Sequence, residues 1–265
     1  STATPASTMG AFGSWLKAAA LAAALSCSGC RLAPPPDPND PGSGANVDAD
    51  VLQRNLKHAS DFLNARVLRG EITDAQAREL LAGTARRMVD GVDLRLIPVR
   101  EAWRYGEFFR AAREWDKARI CFESAVRTAP NEDRRVNDSL RLAHCLAELG
   151  RVEEAIAAAR SVFGTRPEES APILPAVLLE IVPAAQGKGQ DVELARLLED
   201  AIAIHQRTIV NPETSAGMAF LAAKPHHIRR AWSLAIRLYR TAGREDLAAE
   251  AMERAIRSLQ SGNGL

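Results

Sequence analysis

Apolar residues return every three or four positions along most of this chain, and from Asn46 onward no stretch alternates apolar with polar residues for long enough to argue a strand. Leu52, Leu56, Ala59 and Leu63 fall on one helical face, widened by Phe62 and Val67. Arg69 to Thr73 reads as a turn. Thr73 with Gln76 forms a capping box that starts a second helix, Ile72 stands just before the cap, and Gly91 follows the last apolar turn. Farther on, Ile173, Val177, Ile181 and Ala184 recur at helical spacing, the GKGQD stretch makes a turn, and Leu194, Leu197, Leu198 and Ile202 form the next stripe. Pro183, inside the first of these stripes, is expected to kink or shorten its helix. The stretch from Asn211 to Pro225 is too long for a tight turn and is expected to carry a short helix. The fold class that follows is all-α.

The pattern also repeats. Between the stretch Ala102 to Pro130 and the one after it, Ala118 returns as Ala155 and Pro130 as Pro167, both 37 residues on, while Arg113 at a tight turn returns as Gly150. In the first copy Gly106, Phe109, Trp115, Ala118, Phe122, Ala125 and Pro130 resemble the motif of the tetratricopeptide repeat family. The second copy keeps Leu142, Ala143, Leu146, Gly150, Ala155 and Pro167 but has Ala159 in place of Phe122, which thins its packing. A last unit places Trp232, Tyr239, Gly243, Ala248, Met252 and Ala255 where that family puts its large and small residues.

The resemblance implies a solenoid of helical hairpins, about four units over residues 98–265, preceded by an N-terminal helix pair over 49–97. It further implies that the small residues mark where two antiparallel helices approach closely, and that the first helices of the units line a concave groove that holds other proteins. Carried over from the family, the groove positions are Trp103, Glu107, Arg110, Asn137, Leu140, Arg141 and His144. The best-known peptide-binding subclass grips a C-terminal carboxylate with paired Lys and Asn residues. Trp103, Glu107, Leu140 and His144 occupy those positions here, so Trp103 and Leu140 are expected to anchor an apolar segment of a partner instead. Packing between helices is the other reading of both side chains.

The N-terminus tells a separate story. Lys17 is followed by a short apolar stretch, then by small residues and a Pro-rich segment, which is the order of a secretory signal over residues 1–30, with the residues before Met9 as an upstream extension. The apolar stretch falls far short of the ~20 residues that a membrane-spanning helix needs. Ser28, Gly29 and Cys30 resemble the end of a bacterial lipobox, which implies cleavage before Cys30 and a diacylglycerol on its sulfur. Cys27 stands where that motif prefers Leu and is the competing acylation site. An ordinary secretory signal is the remaining alternative. Residues 31–48 then read as an extended tether.

Charge and candidate chemistry narrow the function. The 34 basic and 33 acidic residues nearly cancel, so net charge favours neither nucleic acid nor an anionic surface as partner. Neither H-E-x-x-H nor G-x-S-x-G occurs. His226 and His227 are adjacent, so on a helix their side chains diverge by ~100° and share a metal poorly. Gly187-Lys188-Gly189 lacks the rest of a phosphate loop and reads as a turn. Cys27 and Cys30 lack the context of a redox or zinc motif. Cys121 and Cys145, on helices of adjacent units, are read as buried thiols, with a disulfide as the alternative. Acidic pairs at Glu153 and Glu154, Asp191 and Glu193, and Glu245 and Asp246 suit the starts of second helices, where the dipole favours them.

No catalytic residue, cofactor or metal is expected from this inventory. The function expected is a non-catalytic scaffold that binds a protein or peptide, is anchored by lipid in the bacterial cell envelope, faces the periplasm or exterior, and does not bind nucleic acid. Two alternatives stand beside it. One is a soluble secreted or periplasmic adaptor that self-associates through its last helix pair; the other is an enzyme or ligand binder with a site between the N-terminal helices and the repeats.

Overall fold

A computed structural model describes residues 47–165 and 173–261. The signal segment with Cys27 and Cys30, almost all of the tether, and Pro167 lie outside the described residues. Within them every regular element is helical. Helices α1 (Ala49–Leu68) and α2 (Asp74–Val89) lead through two 3₁₀ turns to α3 (Ala102–Ala111) and α4 (Trp115–Arg127), then α5 (Glu132–Glu148) and α6 (Val152–Arg160). A composite helix follows: α7 (Ile173–Ala176), a π-helical turn (Val177–Ile181) and α8 (Val182–Ala185). The chain closes with α9 (Asp191–Arg207), α10 (Ser215–Thr241) and α11 (Glu245–Ser261).

Local signals set these boundaries. The Thr73 side chain accepts from the Gln76 N–H, and the Gln76 side chain accepts from the Thr73 N–H, so the capping box forms as its sequence requires. The three acidic pairs occupy the first turns of α6, α9 and α11. One C-terminal turn recurs four times. In each, the N–H of a residue with positive φ (Gly70, Arg113, Gly150 or Gly243) donates three residues back, and the next N–H donates five residues back, all at 2.8 to 3.0 Å. This is the Schellman arrangement. It satisfies carbonyls that a helix end would otherwise strand, and it reverses the chain sharply.

Most helices pack closely on their sequence neighbours, and the composite helix packs on α5 and α9. At the α3–α4 crossing Gly106 lies against Phe122, and a Cβ built on the glycine would meet the ring at 2.9 to 3.1 Å. Both residues are buried. The small residue is therefore a steric condition for that approach, as the repeat pattern implies. Two core clusters run between the helices. One joins α1 and α2 to α3 and α4 through Leu52, Ala85, Tyr105, Phe109 and Phe122, and the other runs from Val136 to Ala255. Leu142 of α5 packs against both and makes the core continuous. The N-terminal pair thus shares its core with α3 and α4.

Two prolines sit inside helices. Pro183 is followed by two more helical residues, and the turn before it widens, with the Val182 N–H reaching back five residues to the Val177 carbonyl. Proline offers no N–H to the Leu179 carbonyl and crowds it, and the wider turn relieves that conflict. Pro225 lies inside α10, which runs unbroken for 27 residues where a separate short helix was expected. Leu221, whose carbonyl loses its partner, is exposed, so solvent can satisfy that carbonyl.

Candidate functional site

The faces of α3, α5 and the π-helical turn meet in a cluster of charge. On α3, Trp103, Glu107 and Arg110 are spaced to share a face, and Arg141 and His144 share one on α5. The Glu107 carboxylate accepts from Arg110 at 2.8 Å and from Arg141 at 2.7 Å. Glu180, delivered by the widened turn, places one oxygen 3.6 Å from Arg110, Arg141 and His144 alike. His144 reaches Glu148 with its other nitrogen at 3.5 Å. At 3.6 Å the contacts to Glu180 are Coulombic rather than direct hydrogen bonds. The two contacts with Arg110 and Arg141 are each worth about 4 to 5 kcal/mol at an effective dielectric of about 20, before desolvation is subtracted.

Two guanidiniums and two carboxylates balance within this cluster. Burial pulls the Glu107 carboxyl upward, but the Arg110 and Arg141 charges more than reverse this and hold it at about 2. Burial likewise works against the Arg110 charge, and Glu107 and Glu180 outweigh it, so Arg110 is raised. Both stay ionised, which makes the cluster a cross-link between helices. Beside it, Arg134 lies over the Trp103 ring at 3.9 Å and donates to Asp138 at 2.9 Å. Asp138 is buried, and that burial, against the pull of Arg134, lifts its carboxyl to about 6.

The structure brings together four of the seven positions carried over to the groove: Glu107, Arg110, Arg141 and His144. Trp103 borders them, half-buried under Arg134. Asn137 turns back on its own helix and donates to the Asp133 carbonyl. Leu140 is only 1% exposed and belongs to the core, so its side chain packs between helices. Glu180, Arg134 and Asp138 complete the cluster and were not singled out in the sequence. The signal for Glu180 was available: it is the lone charge in the run from Ile173 to Val182.

Other polar features resolve more simply. Lys188 donates to the Ala147 carbonyl at 2.8 Å, so the GKG stretch is a turn that caps the end of α5. Cys121 and Cys145 are free and buried, and burial pushes both thiols to about 12. His205 is fully buried with neither ring nitrogen hydrogen-bonded, against Phe220 and His227. Burial, with His227 and Lys224 adding to it, pushes its pKa down to about 3. Among the described residues no group of three or more His, Cys, Asp or Glu side chains is placed to hold a metal ion, and no helix is long and apolar enough to cross a membrane. Compared with protein-family models, with curated proteins and with solved structures, the chain matches none.

Proposed function

We propose that this chain is a non-catalytic scaffold of tetratricopeptide-like helical hairpins, lipid-anchored in a bacterial cell envelope through Cys30, that holds a partner protein along the face formed by α3, α5 and the π-helical turn. One observation carries the reading. The turn that closes the first helix of a hairpin recurs with the same pair of backbone hydrogen bonds at Arg113, Gly150 and Gly243, the positions at which the repeat motif puts its turns. The fit of Gly106 to Phe122 supports the same assignment. Rows of hairpins of this kind present extended surfaces built from many side chains rather than a single reactive centre.

The partner contacts proposed are the half-buried Trp103 with Arg134 over it, flanked by Glu107 and Arg141. A large aromatic beside Arg is the composition of binding hot spots. Leu140 is in the core and serves as a stability position instead. The test is affinity capture of the mature protein from detergent-solubilised envelope, comparing the wild type with Trp103→Ala and Arg134→Gln. Loss of one or more captured proteins in both variants, at a temperature at which both remain folded, is the expected result; an unchanged set of captured proteins excludes this face. For the anchor, Cys30→Ala is expected to move the protein from the membrane to the soluble fraction. Retention in that variant, with loss only when Cys27 is also replaced, would assign the lipid to Cys27.

A further inference from the structure

Helix α10 is charged differently from the rest of the chain. Ion pairs are dense elsewhere, and on either side of this region Arg196 is paired with Glu193 and Arg240 with Glu245. From Arg207 to Arg237, by contrast, the basic residues are Arg207, Lys224, Arg229, Arg230 and Arg237, and Glu213 is the one acidic residue. Among the described residues none of these five cations is within ion-pair distance of a carboxylate. A chain with a net charge of +1 thus concentrates unneutralised positive charge on α10 and the end of α9.

The start of that helix is apolar on its outside. Ile209 is 95% exposed, Met218 57% and Leu221 44%. Lys224 donates to the carbonyls of Gln206 at 3.0 Å and Thr208 at 3.4 Å, which holds the loop bearing Ile209 against the helix. Met218, Ala222, Pro225, Arg229 and Arg237 then follow one another at helical spacing along the exposed side. The face changes from apolar to cationic over about 16 Å, from Met218 to Arg229.

We infer that this face of α10 docks on a membrane surface that carries anionic lipid, with Ile209, Met218 and Leu221 entering the headgroup boundary and the arginines meeting the lipid phosphates. The combination fits lipid better than other polyanions or a second copy. Nucleic acid has no use for three large apolar side chains at the end of a basic stripe. A two-fold contact between copies through this face would set the same cations against each other. The inference is independent of the partner-binding face and of lipidation at Cys30. It adds a second contact with the membrane beside that anchor.

The test uses the full chain with Cys27→Ala and Cys30→Ala, so that no acyl group contributes, in co-sedimentation with vesicles. Phosphatidylcholine vesicles are compared with vesicles in which about one-third of the lipid is phosphatidylglycerol. Binding to the anionic vesicles is expected to be at least about tenfold tighter and to weaken with salt. Arg229→Gln with Arg230→Gln is expected to weaken it about 25-fold, roughly fivefold for each charge removed. Replacing Ile209, Met218 and Leu221 by Gln together is expected to weaken binding to both vesicle types. These side chains are exposed, so melting curves of the variants should match the parent. Equal binding to both vesicle types, variants that bind like the parent, or binding to heparin without binding to vesicles would each overturn the inference. Partner capture by the Trp103 face is read separately and is expected to survive all five substitutions.

Discussion

At the scale of single residues, the tightest constraint is Gly106. The whole Phe122 ring edge lies where a Cβ would go, and Phe122 is itself fully buried, so neither side can yield without moving a helix. Gly106→Ala is therefore expected to destabilise the protein by about 1 to 3 kcal/mol despite alanine's higher helix propensity. Chemical denaturation measures it, and Phe122→Leu in the same chain should recover part of the loss. A gain in stability would mean that the helices are not held at this distance. Two buried titrating groups make a second, opposed pair. Asp138 has a folded pKa of about 6, above its ordinary 3.8, so its contribution is fully present below pH 3.8 and is lost as pH rises through 6. The size is about 3 kcal/mol. His205, at about 3 against 6.5, runs the other way: its contribution is present above pH 6.5 and is lost as pH falls toward 3. Between pH 4 and 6 the two slopes partly cancel. Asp138→Asn should expose the histidine slope, so that stability falls more steeply on acidification than in the wild type. Parallel wild-type and variant curves over that window would refute the Asp138 shift.

At the scale of elements, periodicity and capping were informative because they depend on neighbours a few residues away. Thr73 and Gln76 could be read from spacing alone, as could the acidic starts of α6, α9 and α11. The π-helical turn could not. A proline in a helical stripe signals a conflict, but whether the helix breaks, bends or widens depends on what packs on both sides; here Val177, Leu178 and Ile181 are all buried and leave no room for a break. Pro225 shows the complementary case, where an exposed carbonyl lets the helix continue. The recurring turn gives the sharpest test at this scale. Arg113 holds φ at 59° where its equivalents are glycine, and its side chain pairs with Glu79 at 2.7 Å in an exposed setting. Arg113→Ala removes the pair and keeps the strained backbone, while Arg113→Gly removes both. The glycine variant is thus expected to be about 1 kcal/mol more stable than the alanine variant. Gly150→Ala should lose a similar amount, since nothing crowds its Cβ and only the backbone objects. Equal stability of the two Arg113 variants would mean that the turn is not left-handed in solution.

At the scale of the whole molecule, Glu180 is the residue that no local reading could place. A lone charge in an apolar run is visible in sequence, but its partners Arg110, Arg141 and His144 come from helices far earlier in the chain, and the widened turn aims it at them. Its consequence is global. Neighbouring helices already share core contacts, whereas Glu180 ties α3 to an element from which α4, α5 and α6 separate it in the chain. Glu180→Gln would remove a carboxylate that faces both half-buried arginines, at a cost of about 3 kcal/mol. Because the lost tie lies between helices and not within one, helix content should be unchanged while the radius of gyration in solution scattering increases. Glu180→Leu separates charge from shape: it refills the volume but still removes the carboxylate that faces both arginines, so it should be no more stable than the Gln variant. A Glu180→Gln protein with the wild-type denaturation midpoint and the wild-type scattering curve would show that the cluster decorates the fold without holding it.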